Sequence, residues 1–424
     1  MERAPPQNPE QQTMSTPATA HDTQHALRGE PRIPIRMILI LGGLSAFAPL
    51  SIDMYLPALP RLTSQLSTSA AAAQLSLTAC LVGLAAGQLL AGPLSDVLGR
   101  RRPLLVGLVC YTVASVLCAF APNVWALVAL RLVQGLSGAA GVVLSRAVVR
   151  DLRSGTGAAK LFATLMLVNG IAPVLAPTIG GQLLRFTSWR GVFAVLTVIG
   201  AGLLCAVLAG LPETHPADRR RAGGLAATGR AFRVLLADRG FLGLALAAGC
   251  VSGAMFAYIS GSSFVLQDVY GMSAQLFALV FGANAVGIVA AGQLSARLVG
   301  RLGPAALLRT GAYLCAGGGL LLVVAVSSGA GLPLVLPALF AVVASVGLVS
   351  PNATSLALAE HGHIAGSASA VLGVLQFVVG GAVAPLVGLA GTGTPVPMAV
   401  VIVALALAAV ALLHTLARRP ATGP

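Results

Sequence analysis

GPLSDVLGRRRPL, Gly92 to Leu104, is the stretch on which the fold turns. One acid and three consecutive arginines sit here between two long uncharged runs, 62–95 and 103–130. A membrane-spanning helix needs about 20 mostly apolar residues, and each run is long enough to supply one. A short charged turn between two membrane-length runs is what a chain crossing a bilayer twice looks like. Gly92 can let two helices approach closely. Asp96 can accept hydrogen bonds from a helix N-terminus in the other half of the chain. The arginines hold the loop on one side of the membrane.

The rest of the 424-residue chain agrees. Hydrophobic residues make up 57% and charged residues only 9%, against about a quarter charged in soluble domains. The 50 Gly and 25 Pro suit membrane helices better than soluble ones. The net charge of +14 comes from 25 Arg and the single Lys160, which lie mostly in short segments between apolar runs. That placement argues against a nucleic-acid-binding face. The six Cys sit singly inside apolar runs with no CxxC, where Cys behaves as a small hydrophobe. His361 and His363 form an HxH in a short loop without further ligand spacing, so neither a metal nor a cofactor is expected. His215, His361 and His363 near Glu213 and Glu360 resemble no catalytic arrangement, and an enzyme is not expected.

Counting apolar runs gives twelve helices, at 36–58, 71–92, 103–121, 124–148, 161–184, 190–210, 240–263, 274–297, 305–327, 332–357, 365–390 and 396–417. Breakers at 327–331 and 391–395 divide the longest uncharged runs. Placing the N-terminus in the cytoplasm puts 22 basic residues inside and leaves Arg61, Arg185 and Arg190 outside, a bias that fixes both termini as cytoplasmic. Five segments follow: a disordered tail at 1–35, a six-helix bundle at 36–211, a cytoplasmic linker at 212–239, a second six-helix bundle at 240–418 and a short tail at 419–424. Residues 1–33 lack the apolar core of a signal peptide, so the first span is expected to remain as an uncleaved anchor. Ala-Gly-Gln-Leu occurs at 86–89 and again at 291–294, each followed by a Gly-Arg pair, 99–100 and 300–301. This is a trace of duplication, as in many secondary transporters.

Gly92, Leu94, Asp96, Gly99, Arg100, Arg101 and Leu104 resemble the loop signature of the major facilitator superfamily, with Ser95 in place of the usual Ala. The resemblance implies a fold of two pseudo-symmetric six-helix bundles and a gate-latch role for Gly92, Asp96, Gly99, Arg100 and Arg101. In the fourth expected helix, Arg131 with Gln134 and Gly135 resembles a second motif of the superfamily, whose Arg is associated with proton coupling. NGIAPVLAPTIGG, Asn169 to Gly181, is similar to the motif of drug:proton antiporters through Pro173, Pro177, Gly180 and Gly181, with Ala176 in the first Gly position. PLSIDMYLPALP (49–60), Trp189-Arg190, Leu-Pro-Glu-Thr (211–214), MFAYISGSSFVLQ (255–267), SPNATSLAL (350–358) and AGSASAVLGVLQF (365–377) together resemble the bicyclomycin and chloramphenicol resistance (Bcr/CflA) family of multidrug efflux transporters. The resemblance runs over about 36–418. It implies proton-driven export of small amphipathic antibiotics across the bacterial cytoplasmic (inner) membrane by a monomer.

Asp53 is the one acid well inside an expected helix, and a charge there is costly and marks function by default. Its depth in the first helix is similar to that of Arg131 in the fourth, so the two are expected to pair. Burial favours the neutral carboxyl and a guanidinium favours the charged one, and the balance between them makes a reversible proton site. A helix-end Asp that simply reaches the interface is the plain alternative, as is a structural Arg131. Tyr55, Gln134, Asn169, Phe256, Tyr258, Asn284 and Gln376 are candidates for substrate contact, although helix packing explains each as well. An uptake symporter for a small organic solute is the alternative function. It predicts more polar and charged groups in the cavity than this chain has.

Overall fold

The computed structural model describes residues 34–153, 155–216, 218, 232–359, 365–389 and 393–415. The tails, Arg219 to Arg221, Glu360, His361, His363 and the side chain of Lys160 lie outside the described residues, and so do the expectations attached to them.

Three prolines shape the first span. A proline removes the hydrogen bond to the carbonyl four residues earlier and crowds it. Pro49, Pro57 and Pro60 therefore act at Ser45, Asp53 and Leu56. The span α1 breaks at those places: Ile35–Ser45, Phe47–Asp53, a 3₁₀ turn Leu56–Ala58, then Leu59–Gln65. Ile35–Ser45 and Phe47–Gln65 meet at 42°. The expected single helix over 36–58 is thus a broken span reaching Gln65.

Eleven continuous helices follow among the described residues: α2 Ala70–Leu98, α3 Arg101–Ala119, α4 Val124–Leu152, α5 Gly155–Leu183, α6 Trp189–Gly210, α7 Arg239–Phe264, α8 Ala274–Leu302, α9 Pro304–Ser327, α10 Leu332–Ala359, α11 Ala365–Leu389 and α12 Val396–Thr415. A π-turn, Val265–Val269, extends α7. Each of the eleven is long and apolar enough to cross a membrane, and the broken α1 makes twelve. Several helices outrun their apolar segments, because backbone hydrogen bonding continues after the bilayer ends. The Gly92–Leu104 stretch is accordingly less of a loop than expected. It is helical to Leu98, turns at Gly99 (φ 86°) and restarts at Arg101. The matching turn in the second half is at Gly303 (φ 76°). Gly300 and Arg301, the expected counterparts of Gly99 and Arg100, lie inside α8.

Both halves cross their second and fourth helices over small residues. An added methyl at Gly135 of α4 would run into the Cys80 carbonyl of α2, and one at Gly347 of α10 into the Ile288 carbonyl of α8. Such contacts hold membrane helices together where lipid is as apolar as leucine. Helices α2, α4, α6 and α8 start with Ser69, Asn123, Ser188 and Ser273, whose side chains cap them. These starts lie at the end of the bundle opposite the 212–238 connection, here called the far end; the other is the linker end. One buried apolar cluster crosses between the halves, joining Ile52, Leu56, Leu77 and Ala176 to Phe264, Phe277, Val383 and Met398. Toward the linker end each half has a separate cluster, around Leu104, Tyr111 and Leu144 in one and Leu235, Phe241 and Leu372 in the other.

Candidate functional site

Three groups of polar residues stand out against the apolar bundle. The first is at the linker end of the N-terminal half. Arg100 donates from Nε to Asp151 (2.9 Å) and from Nη1 to Asp96 (2.5 Å) and Ser95 (2.7 Å). Burial works against its charge, but Asp151 and Asp96 outweigh that and hold its pKa above the ordinary arginine value. Asp96 thus pairs with Arg100 one turn on, rather than with a helix N-terminus in the other half. The carboxylate at a helix N-terminus is instead Glu213, which accepts from the backbone N–H of Arg100 (2.8 Å) and of Arg101 (3.2 Å) at the start of α3. Arg101 reaches the Leu208 carbonyl at 2.9 Å, so the end of α6 is tied to α3 twice. Gly99 supplies the positive φ of the turn. Gly92 faces open space, so close helix contact is not its task here. Because a carboxylate at a helix start satisfies free N–H groups and meets the positive end of the dipole, Glu213→Gln is expected to cost about 1 kcal/mol. The check is the melting temperature of the purified protein in detergent, where an unchanged value would count against the cap.

The second group surrounds Arg131, which is completely buried. Its Nη1 donates to Gln134 Oε1 (2.5 Å) and its Nη2 to the Ser51 carbonyl (2.9 Å). Gln134 passes the chain on to Ser115 (2.7 Å), and the Ser51 hydroxyl bonds Tyr111 (2.7 Å). The guanidinium lies over the rings of Tyr55 (5.1 Å) and Phe193 (5.7 Å). The expected Asp53–Arg131 pair does not form. Helix segment Phe47–Asp53 ends early, which leaves its last carbonyls without helical partners, and Arg131 takes the one at Ser51. The two residues do share a depth, since Ser51 is two positions from Asp53.

The third group lies where the halves meet. Asp53 is 6% exposed, and no hydrogen bond or ion pair among the described residues engages its carboxylate. Just beyond it, the carbonyls loosened by the α1 breaks accept bonds from α7: Ser263 Oγ donates to Leu56 O (2.6 Å) and Gln267 Nε2 to Pro57 O (3.4 Å). Further bonds cross the same far-end seam, from Gln74 to Ser260 O (3.0 Å), from Thr78 to Gly381 O (3.0 Å) and from Gln275 to Gly181 O (3.0 Å). The α5 motif sits beside Asp53. A methyl at Gly180 would run into the Met54 carbonyl of α1, while one at Gly181 would press on Ala274 O (3.0 Å) and Ala278 Cβ (3.1 Å) of α8. Pro173 and Pro177 are accommodated inside an uninterrupted α5.

The seven residues considered for substrate contact divide. Tyr55 bonds Ser76 (3.0 Å), Gln134 serves Arg131, and Asn169 holds Ser45 (2.6 Å), so all three are engaged within the N-terminal half. Tyr258 accepts from Asn284 (2.8 Å) and stacks on Phe281, and Phe256 lies 6.1 Å from Phe377. Gln376 is half-buried with no hydrogen bond to the described residues. The sequence does not foretell the capping role of Glu213 or the seam bonds of Gln74, Thr78, Ser263, Gln267 and Gln275. Their one signal was polarity near the end of an apolar helix.

A family model described as Major Facilitator Superfamily matches residues 41–385. The chain belongs to the major facilitator superfamily. It is 40% identical to an uncharacterized MFS-type transporter, YdgK, of Bacillus subtilis, over 86% of this chain and 91% of the relative. It is 33% identical to a bicyclomycin resistance protein homolog of Haemophilus influenzae, over 82% and 88%. It is 32% identical to a chloramphenicol resistance protein of Pseudomonas aeruginosa, over 82% and 83%. These relatives place it in the drug-resistance branch of the superfamily, as its motifs suggested. The crystal structure of a D-xylose-proton symporter superposes with a TM-score of 0.71 at 18% identity, covering 91% of this chain and 97% of that one. That likeness shows the fold of two six-helix bundles. This major facilitator protein is a multi-pass membrane transporter of small molecules and not an enzyme.

Proposed function

We propose that this transporter is a drug:proton antiporter that exports small amphipathic antibiotics, with bicyclomycin- and chloramphenicol-like compounds the first to try. The observation that carries the reading is Asp53, a buried carboxylate without a partner, at the seam between the two halves. An unpaired acid at membrane depth costs a few kcal/mol on insertion scales, and a group that gains and loses a proton in each cycle is a reason to keep it. The names of the resistance-protein relatives support the substrate class. The charge bias supports placement in a bacterial cytoplasmic membrane with both termini inside, and a monomer is the simplest working unit.

The described state is joined at the far end, which is the outside in this reading. Compound enters from the cytoplasm or the inner leaflet while Asp53 is ionised. The halves then rock about the seam, compound leaves outward, and Asp53 takes a proton from outside. Protonation disfavours rebinding, and the carrier returns. Each ligand biases one two-state equilibrium. Asp96, Arg100 and Arg101 brace the linker end of the N-terminal half about the turn at Gly99, and Arg131 anchors α1 to α4 below Asp53.

The test uses inside-out vesicles with an acidified lumen and a pH-sensitive dye. Bicyclomycin, chloramphenicol and a sulfonamide are added in turn. Compound-dependent proton release from the lumen is the expected result. Protons and compound moving in the same direction would make the protein a symporter, and silence with every compound would remove the drug reading.

A further inference from the structure

Parallel helices α1 and α7 are pinned together by the bond from Ser263 Oγ to Leu56 O at 2.6 Å. Asp53 lies three residues before Leu56 and Tyr258 five before Ser263, which is roughly 5 Å and about 7.5 Å along the two helices. The acid of one half therefore stands level with the phenol of the other, and the two lie within electrostatic reach. Tyr258 is 1% exposed. Its oxygen accepts the Asn284 N–H at 2.8 Å, so the phenol hydrogen is left to donate. Its ring is fixed by stacking on Phe281 at 5.4 Å. One turn further along α7, the buried Ser262 hydroxyl lies close enough to act on the phenol, so Ser262 and Asp53 compete for the phenol hydrogen. Arg131 keeps one buried N–H, at Nε, without a partner among the described residues, and the other polar or ionisable groups around this part of α1 are bonded or uncharged. Arg131 from α4 is bound to Ser51 and Gln134, Tyr111 from α3 to Ser51, and Tyr55 to Ser76. Cys80 from α2 is a buried thiol, α5 brings Asn169 and Gly180, and α8 brings Asn284.

We propose that Tyr258 is the residue through which the C-terminal half reads the charge on Asp53. The inference rests on the antiport reading and deepens it. When Asp53 is ionised and no compound is bound, the Tyr258 O–H donates to the carboxylate and holds α7 against α1. The far end stays shut. Bound compound separates the two groups and releases the seam, whereas protonation of Asp53 removes the charge the phenol prefers. The device forbids the one transition an antiporter has to suppress. An empty, ionised carrier that opened outward would take up a proton, return and release it inside, dissipating the gradient without export. Tyr258 is thus a positioning residue, acting on the proton carrier and not on the compound.

The test is proton leak without compound, in reconstituted vesicles carrying an acid-inside gradient and a pH dye. Wild-type protein is expected to hold the gradient until bicyclomycin or chloramphenicol is added. Tyr258→Phe keeps the ring and its stacking but is expected to collapse the gradient roughly tenfold faster with no compound, the size of one lost hydrogen bond to a charged group. The double variant Asp53→Asn/Tyr258→Phe is expected to be tight again, because the leaking proton travels on Asp53. A lost packing contact alone would not produce a leak that Asp53→Asn cures. Asn284→Ala keeps the phenol and removes the group that orients it, and a partial leak is expected. A monodisperse Tyr258→Phe or Asn284→Ala protein as tight as wild type overturns the role of Tyr258, as does a leak that survives Asp53→Asn. If wild type shows compound-driven release and Tyr258→Phe is tight, only this inference falls. If wild type shows none, the antiport reading falls and takes this one with it.

Discussion

Asp53→Asn is expected to reduce compound-driven proton release to the level of vesicles without the protein, while the variant still folds and still binds compound. The argument begins with what the substitution leaves alone. The Asp53 carboxylate makes no hydrogen bond and no ion pair among the described residues, so an isosteric amide removes none of the contacts of the described state, and its oxygen can still accept from the Tyr258 O–H. The neutral side chain also avoids burying a charge, which by itself is neutral or favourable for stability. A loss of transport in this variant therefore cannot be ascribed to a damaged fold, and gel filtration with a melting curve verifies the point. Binding adds a sign. If proton and compound exclude one another at Asp53, wild-type affinity falls as the pH is lowered, because the protonated carrier is the form that refuses compound. In Asp53→Asn the dependence should flatten, with affinity held near one value across the same range. Isothermal titration at several pH values reads this directly. Proton release that persists in the variant would move the carrier elsewhere, and an unaltered pH dependence of binding would remove the exclusion.

Much of this architecture is legible in the sequence because a bilayer leaves the chain few choices. Every backbone polar group in lipid needs an internal partner, so an uncharged run of about 20 residues is a helix and counting runs finds the spans. The legibility fails where the chain leaves that regime. Helices α2, α4 and α8 continue past their apolar runs, because hydrogen bonding within a helix does not stop at the membrane surface, and so the Gly92–Leu104 stretch is helical except at Gly99 and Arg100. Gly303 is the counterpart of Gly99 in backbone conformation, although Gly300-Arg301 is the closer match in letters. The site was readable as residue types but not as pairings. Asp53 and Arg131 are the conspicuous charges at one depth, yet Arg131 turns to a carbonyl, Ser51 O, that Pro49 and Pro57 help to free by shortening the helix around it. Pro60, equally legible as a helix breaker, leaves Leu56 O open to Ser263, and the Pro57 carbonyl beside it accepts from Gln267. Nothing in a one-dimensional pattern says which distant side chain will come for a freed carbonyl. Glu213 is a similar case: it stands over a hundred positions from the helix it caps.

The glycine pair of α5 separates two roles that a motif lumps together. Gly180 faces α1 in its own half, where even one methyl meets the Met54 carbonyl. Both partners are backbone, neither can swing aside, and the contact belongs to the half itself in whatever state the two halves adopt. Gly180→Ala is therefore expected to cost the fold roughly 1–3 kcal/mol, the range for overpacking a tight site, and to lower both yield and melting temperature. Gly181 faces the other half, with Ala274 O at 3.0 Å and Ala278 Cβ at 3.1 Å from an added methyl. That crowding exists only while the far end is closed. Gly181→Ala should then leave each half intact and penalise one state by about 1.4 kcal/mol or more, which shifts the ratio of states at least about tenfold. A cysteine in place of Ser260 reports the shift. Ser260 is 1% exposed and its carbonyl accepts Gln74 across the seam at 3.0 Å, so a thiol there meets an impermeant maleimide only when the far end opens. In a cysteine-free background carrying Ser260→Cys, Gly181→Ala is expected to label about tenfold faster from outside than its parent at unchanged yield. Equal labelling rates would show that α5 and α8 have room to spare at Gly181, and the far-end gate would have to be sought along α1 and α7 instead.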